Sequence, residues 1–78
     1  MKSFDVQLTC IGDVKSFVNA ANARDCDIDV VAGHYTIDAK SIMGIFSIDL
    51  AKPLRVEVHG NDGEADAFRD SVASFLVQ

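Results

Sequence analysis

The sequence predicts a small α+β domain in which one four-stranded antiparallel sheet is covered on one face by helices, in the order β-α-β-β-α-β-α. Three observations predict it. Four stretches alternate apolar and polar residues with the period of a half-buried strand, and two others repeat apolar residues at helical spacing. At 78 residues the chain is long enough for one core only. A chain of this size buries roughly 60% of its unfolded surface, so its amphipathic elements must share a single apolar interior. The reading is one domain over residues 1–78.

The elements follow in order. Phe4, Val6, Leu8 and Cys10 alternate with Asp5, Gln7 and Thr9, which predicts a first strand. Ile11-Gly12-Asp13 breaks it, and Asp13 is placed to cap a helix that carries Val14, Phe17, Val18 and Ala21 on one side and runs to about Arg24. Cys26, Ile28 and Val30 then alternate with Asp27 and Asp29. Ala32-Gly33-His34 reads as a tight turn and Tyr35-Thr36-Ile37-Asp38 as the return strand of a hairpin. Ser41 caps a short helix, Ile42 to Phe46, expected at an edge of the sheet. After Pro53, Leu54, Val56 and Val58 alternate with Arg55, Glu57 and His59 as a fourth strand. Asn61 to Glu64 open a last helix with acids at its positive end, and Ala65, Phe68, Val72, Phe75 and Leu76 form its apolar stripe.

Composition narrows the function. Hydrophobic residues make up 49% of the chain, which suits a globular domain throughout. The net charge is -5 with seven basic residues in no cluster, so the lysine and arginine footprint that nucleic acid demands is missing and an anionic membrane surface fits no better. Met1 to Asp5 hold no apolar signal-peptide core and no apolar run reaches spanning length, so a cytoplasmic protein is expected. The two cysteines, Cys10 and Cys26, form no metal or redox motif and read as buried, reduced, apolar thiols. His34 and His59 stand far apart, away from other ligand types, and read as surface or turn histidines.

No catalytic constellation emerges. There is no nucleophile elbow, no Cys/His pairing and no carboxylate pair, and the Gly60-Asn61-Asp62-Gly63 turn is acidic and would repel phosphate. The expectation is a non-enzyme without metal or cofactor. One segment exceeds the needs of a core. In Ser41-Ile42-Met43-Gly44-Ile45-Phe46, a short helix buries only some of its apolar residues, so Ile42, Met43 and Phe46 are either core or a protein-docking patch. Ser41 is either a plain cap or a cap whose hydroxyl takes phosphate, since free N–H groups at a helix start favour added negative charge.

The stretch Asp38 to Ile48, with Lys40-Ser41-Ile42-Met43-Gly44 at its centre, resembles the regulatory-serine segment of HPr, the histidine-containing phosphocarrier of the bacterial sugar phosphotransferase system, in its Gram-positive form. Similarity continues through Ala51-Lys52, the strand Leu54 to His59, and Gly60 to Ala67. The resemblance implies the HPr fold, an open-faced β-sandwich. It implies that Ser41 is phosphorylated by an ATP-dependent HPr kinase/phosphorylase. It also implies that Ile42, Met43 and Phe46 dock that kinase and catabolite-control regulators. The chain departs from the family where HPr proteins carry a Gly-(Leu/Ile)-His-x-Arg-Pro-Ala loop, whose histidine accepts phosphate from enzyme I. Here that interval is Thr9 to Val14, shorter and without histidine, arginine or proline. The expectation is therefore a regulatory or adaptor protein of the phosphotransferase system or of carbon catabolite control, without a usable carrier histidine. The alternatives are a carrier using another acceptor such as Cys10, or a degenerate paralogue that only binds a protein.

Overall fold

Phe4, Val56, Val30 and Ile37 stand side by side, one apolar side chain from every strand in a single row across the sheet. The structure, a computed structural model, describes residues 2–77. Its strands are β1 (Lys2–Val6), β2 (Ile28–Ala32), β3 (Tyr35–Asp38) and β4 (Leu54–Val58), ordered β1-β4-β2-β3 and antiparallel throughout. Because side chains alternate along a strand, the next row, Ser3, Glu57, Asp29 and Asp38, falls on the opposite face. That polar face carries the Asp29–His59 pair at 3.0 Å and the Arg55–Glu57 pair at 3.5 Å.

The helices α1 (Ile11–Asn22) and α3 (Asp62–Ser71) cover the apolar face, and the short α2 (Ile42–Phe46) packs beside α1 and β3. Val14, Phe17, Val18 and Ala21 of α1 and Ala65 and Phe68 of α3 are buried, the helical spacing read from the sequence. Phe68 meets Phe17 edge-on at 5.6 Å and Phe4 at 6.1 Å, tying both helices to the sheet. The β2–β3 hairpin closes through Gly33-His34, with Gly33 at φ +61°, a conformation that glycine adopts without steric cost. Asn61 caps α3 by accepting from the Glu64 amide at 2.8 Å.

Four sequence expectations need correction. The first strand ends at Val6, although Leu8 is still buried. Val6 pairs with Leu54, and beyond it the partner strand has only Pro53 to offer, which has no amide hydrogen. Helix α1 begins two residues before Asp13, with Cys10 at its N-cap and no side-chain cap. Asp13 lies inside the first turn and reaches back instead, accepting from the Thr9 amide at 3.0 Å and the Thr9 hydroxyl at 2.8 Å. That start turns Cys10 outward, so it is exposed rather than buried, while Cys26 is half-buried in the loop before β2; both are free thiols. Finally, α3 stops at Ser71. Ala73–Phe75 form a single 3-10 turn and Leu76 bridges to Val6, because the outer edge of β1 takes up the backbone that follows. Gln7 donates its amide to the Phe75 carbonyl at 2.8 Å, and Val77 to the Asp5 carbonyl at 3.0 Å.

Two outcomes follow. Phe68→Ala opens a cavity between β1, α1 and α3 and should cost about 3–5 kcal/mol in urea unfolding. The two Thr9 donors hold the Asp13 carboxyl below its ordinary range. With the folded value below the unfolded one, the contribution is present above about pH 4 and is lost as pH falls through the folded value. Asp13→Ala should therefore destabilise at pH 7, and its unfolding midpoint should converge on that of the parent in strong acid.

Candidate functional site

Ser41 is fixed by backbone on both sides. Ala39, wholly buried after β3, donates its amide to the Ile28 carbonyl at 2.9 Å. The Asp38 carboxylate accepts from the Lys40 amide at 2.9 Å, and the Asp38 carbonyl accepts from the Ser41 amide at 3.0 Å, which turns the chain sharply out of the sheet. Ser41 then adopts an extended conformation, and its Oγ accepts from the Gly44 amide at 3.1 Å, as the sequence predicts for the N-cap of α2. The end of α1 holds the same loop. Lys40 Nζ donates to the Arg24 carbonyl at 2.9 Å, and Asn22 Nδ2 donates to the Val18 carbonyl at 3.0 Å and the Lys40 carbonyl at 3.4 Å.

Five residues of helix have one inward side. Ile45 is fully buried and Ile42, three positions earlier, packs against the core beside it. Met43 and Phe46, also three apart, point outward and are 77% and 41% exposed. The alternatives left open by the sequence thus divide: Ile42 is largely a packing residue, while Met43 and Phe46 present apolar surface next to Ser41. Gly44 sets how closely α2 approaches. A Cβ there would lie 2.5 Å from Ile37 Cγ2 and 3.2 Å from Ser41 Oγ. The sequence marked this glycine only as an interruption, because its reason is a contact with β3, seven residues away along the chain.

The connection from β1 to α1 leads into the helix that packs beside α2. It runs through Gln7, Leu8, Thr9 and Cys10, with Cys10 and Ile11 exposed and Asp13 held by Thr9. Gln7, read from the sequence only as a polar strand residue, joins it to the α2–β4 connection by donating from Nε2 to the Leu50 carbonyl at 2.8 Å. His34 sits in the β2–β3 turn and His59 follows β4, paired with Asp29 on the polar face, so neither lies in the β1–α1 connection. Among the described residues no group of three or more His, Cys, Asp or Glu side chains is arranged to hold a metal ion, and no helix is long and apolar enough to cross a membrane.

A sequence profile described as the phosphotransferase-system HPr component phosphorylation site matches residues 14–78. The chain belongs to the HPr family. Its fold agrees with HPr proteins of known structure. The phosphocarrier protein HPr of Bacillus anthracis str. Ames superposes with a TM-score of 0.73 at 29% identity, over 95% of this chain and 93% of that one. HPr-C-His of Thermoanaerobacter tengcongensis gives 0.76 at 23% identity, over 95% and 89%. Crh, the catabolite repression containing protein of Bacillus subtilis, gives 0.64 at 24% identity, over 95% and 88%, and forms a swapped dimer. No curated protein matches the sequence significantly. The HPr match covers Ser41 and all of α2 but begins at Val14, so the β1–α1 connection, including Cys10, lies outside it.

The local geometry gives two stability tests, both read by urea unfolding. Ser41→Ala removes the cap and should cost about 1 kcal/mol, whereas Ser41→Asp keeps an acceptor for the Gly44 amide and should cost less. Gly44→Ala should destabilise even though alanine is the better helix former by about 1 kcal/mol, because its methyl meets Ile37. In an Ile37→Ala background the added penalty of Gly44→Ala should shrink; equal penalties in both backgrounds would rule out this contact as the reason for the glycine.

Proposed function

We propose that this HPr-family chain is a regulatory or adaptor protein of the phosphotransferase system or of carbon catabolite control, that it acts in the cytoplasm, and that its covalent switch is phosphorylation of Ser41 rather than transfer through a histidine. The observation that carries this reading is one capping hydroxyl beside an exposed apolar pair, Met43 and Phe46. The β1–α1 connection, by contrast, carries no imidazole. Phosphohistidine transfer needs a nucleophilic ring nitrogen and local positive charge, and Asp13 stands where such charge would be wanted.

In the proposed step a kinase base takes the Ser41 hydroxyl proton, Oγ bonds to the γ-phosphorus of ATP, and ADP leaves. The modification adds nearly two negative charges at a helix start, where the Gly44 amide favours them. It also sets that charge against Met43 and Phe46. A partner that met an apolar patch with a neutral rim would then meet an anionic one, so the state of Ser41 selects between partner surfaces. The partners in this reading are proteins: a kinase of the HPr kinase/phosphorylase type, and a catabolite-control regulator or phosphotransferase component that docks on α2.

A second reading is favoured by one observation, the exposure of Cys10 at the N-cap of α1. A thiol at a helix start is open to attack on a phosphoryl donor. It would make the chain a carrier using sulfur instead of nitrogen.

The test of the main reading is phosphorylation with ATP and an HPr kinase, followed by intact mass and fragment mapping. We expect one phosphoryl group, on Ser41, and none in Ser41→Ala. Labelling that persists in Ser41→Ala would contradict the site. Met43→Ala with Phe46→Ala should leave the fold intact and weaken capture of the chain by the kinase.

A further inference from the structure

Between the β2–β3 hairpin and the α2–β4 connection the surface opens into a groove of about 550 Å³. That size falls within the range of small-molecule sites, about 300–1,000 Å³. Its apolar lining is Ala32, Ile37, Ile48 and Leu54, with the Tyr35 ring as one wall. Leu54 is fully buried, Ile37 and Ile48 are half-covered, and Tyr35 is 68% exposed. Met43 and Phe46 do not line it; the groove begins past them, at Ser47.

The polar groups of the rim differ in how far they are already satisfied. Ser47 donates its hydroxyl to the Gly44 carbonyl at 2.6 Å, and the Asp49 carboxylate accepts from the Ala51 amide at 2.9 Å. Lys52 is exposed and takes part in none of the three ion pairs of the described residues. The rim therefore offers one uncommitted cation over an apolar floor. The groove between β1 and α3 is smaller, about 340 Å³, and Phe4 and Ala65 are its only apolar lining, beside Arg69 and the Lys2–Asp66 pair at 3.0 Å.

We propose that the larger groove binds a small aromatic carboxylate. A flat ring would lie on the half-covered Ala32, Ile37 and Ile48 against Tyr35, where aromatic contact adds to burial. Its carboxylate would face the Lys52 ammonium. A single negative charge suits the site better than a phosphate monoester, because Asp49 shares the rim and the net charge of -5 opposes anions in general. The apolar contact must therefore supply most of the affinity, with Lys52 selecting acids over neutral analogues.

Titration of the ¹⁵N-labelled protein with indole-3-acetate, and in parallel with the uncharged indole-3-acetamide, tests this by NMR. Saturable shifts should centre on the amides of Gly33, Tyr35, Ile37, Ile48 and Lys52. Lys52→Gln should weaken the acid about two- to five-fold, the size of an exposed ion pair, and leave the amide analogue unchanged. Ala32→Phe, which fills the groove from the sheet side, should abolish binding of both while the spectrum stays dispersed. Shifts that do not saturate, that centre on another surface, or that survive Ala32→Phe would overturn the proposal. Equal loss of acid and amide in Lys52→Gln would overturn the role given to the ammonium.

Discussion

Phe68 touches Phe17 of the first helix and Phe4 of an edge strand, and all three depend on the sheet presenting its apolar residues to one side. Strand register makes that possible. Because successive side chains alternate, a slip of one residue in any pairing would exchange Val56 or Val30 for Arg55 or Asp29 on the covered face. The cost would include a buried, unpaired charge, so the register is held more firmly than backbone hydrogen bonds alone would hold it. Once register is fixed, the helices have one face to cover, and the turns between elements have little freedom. Ser41 inherits its position from this chain of constraint: β3 ends at Asp38, the turn is fixed by Asp38 itself, and α2 must begin where Ile45 can reach the core.

The same constraint explains which parts of the fold were legible in the sequence. Elements defined by side-chain period, such as Leu54–Val58 or Val14 to Ala21, could be read because burial acts on each residue according to its own polarity. Caps made within four residues, Ser41 and Asn61, could be read for the same reason. The errors lie where a distant segment decides. The end of β1 is set by Pro53, and the end of α3 by the open edge of β1. Asp13 had the right chemistry for a cap but was used by Thr9, four residues earlier in the chain. Each of these was a competition between a local preference and a backbone group needing a partner elsewhere.

The candidate site divides along the same line. The hydroxyl of Ser41 and the apolar character of its surroundings were visible as residue types at fixed spacing. Which of Ile42, Met43 and Phe46 would face outward was not, because that depends on the rotation of a five-residue helix seated on Gly44 against Ile37. Cys10 was misread as buried for a related reason: the alternation carrying it inward stops being a strand at Val6. The groove beside Lys52 had no sequence signature at all, since it forms between a hairpin and a loop that meet only in the folded chain.

The account turns on a physical claim about the β1–α1 connection: without an imidazole, and with Asp13 in the first turn of the helix that follows, we propose that it accepts no phosphoryl group. The direct measurement is intact mass after incubation with phosphoenolpyruvate and enzyme I, with a histidine-bearing HPr in the same tube as the control acceptor. The account predicts that the control gains a phosphoryl group and this chain does not. A gain on this chain, and above all one that disappears in Cys10→Ala, would contradict it and make the protein a carrier.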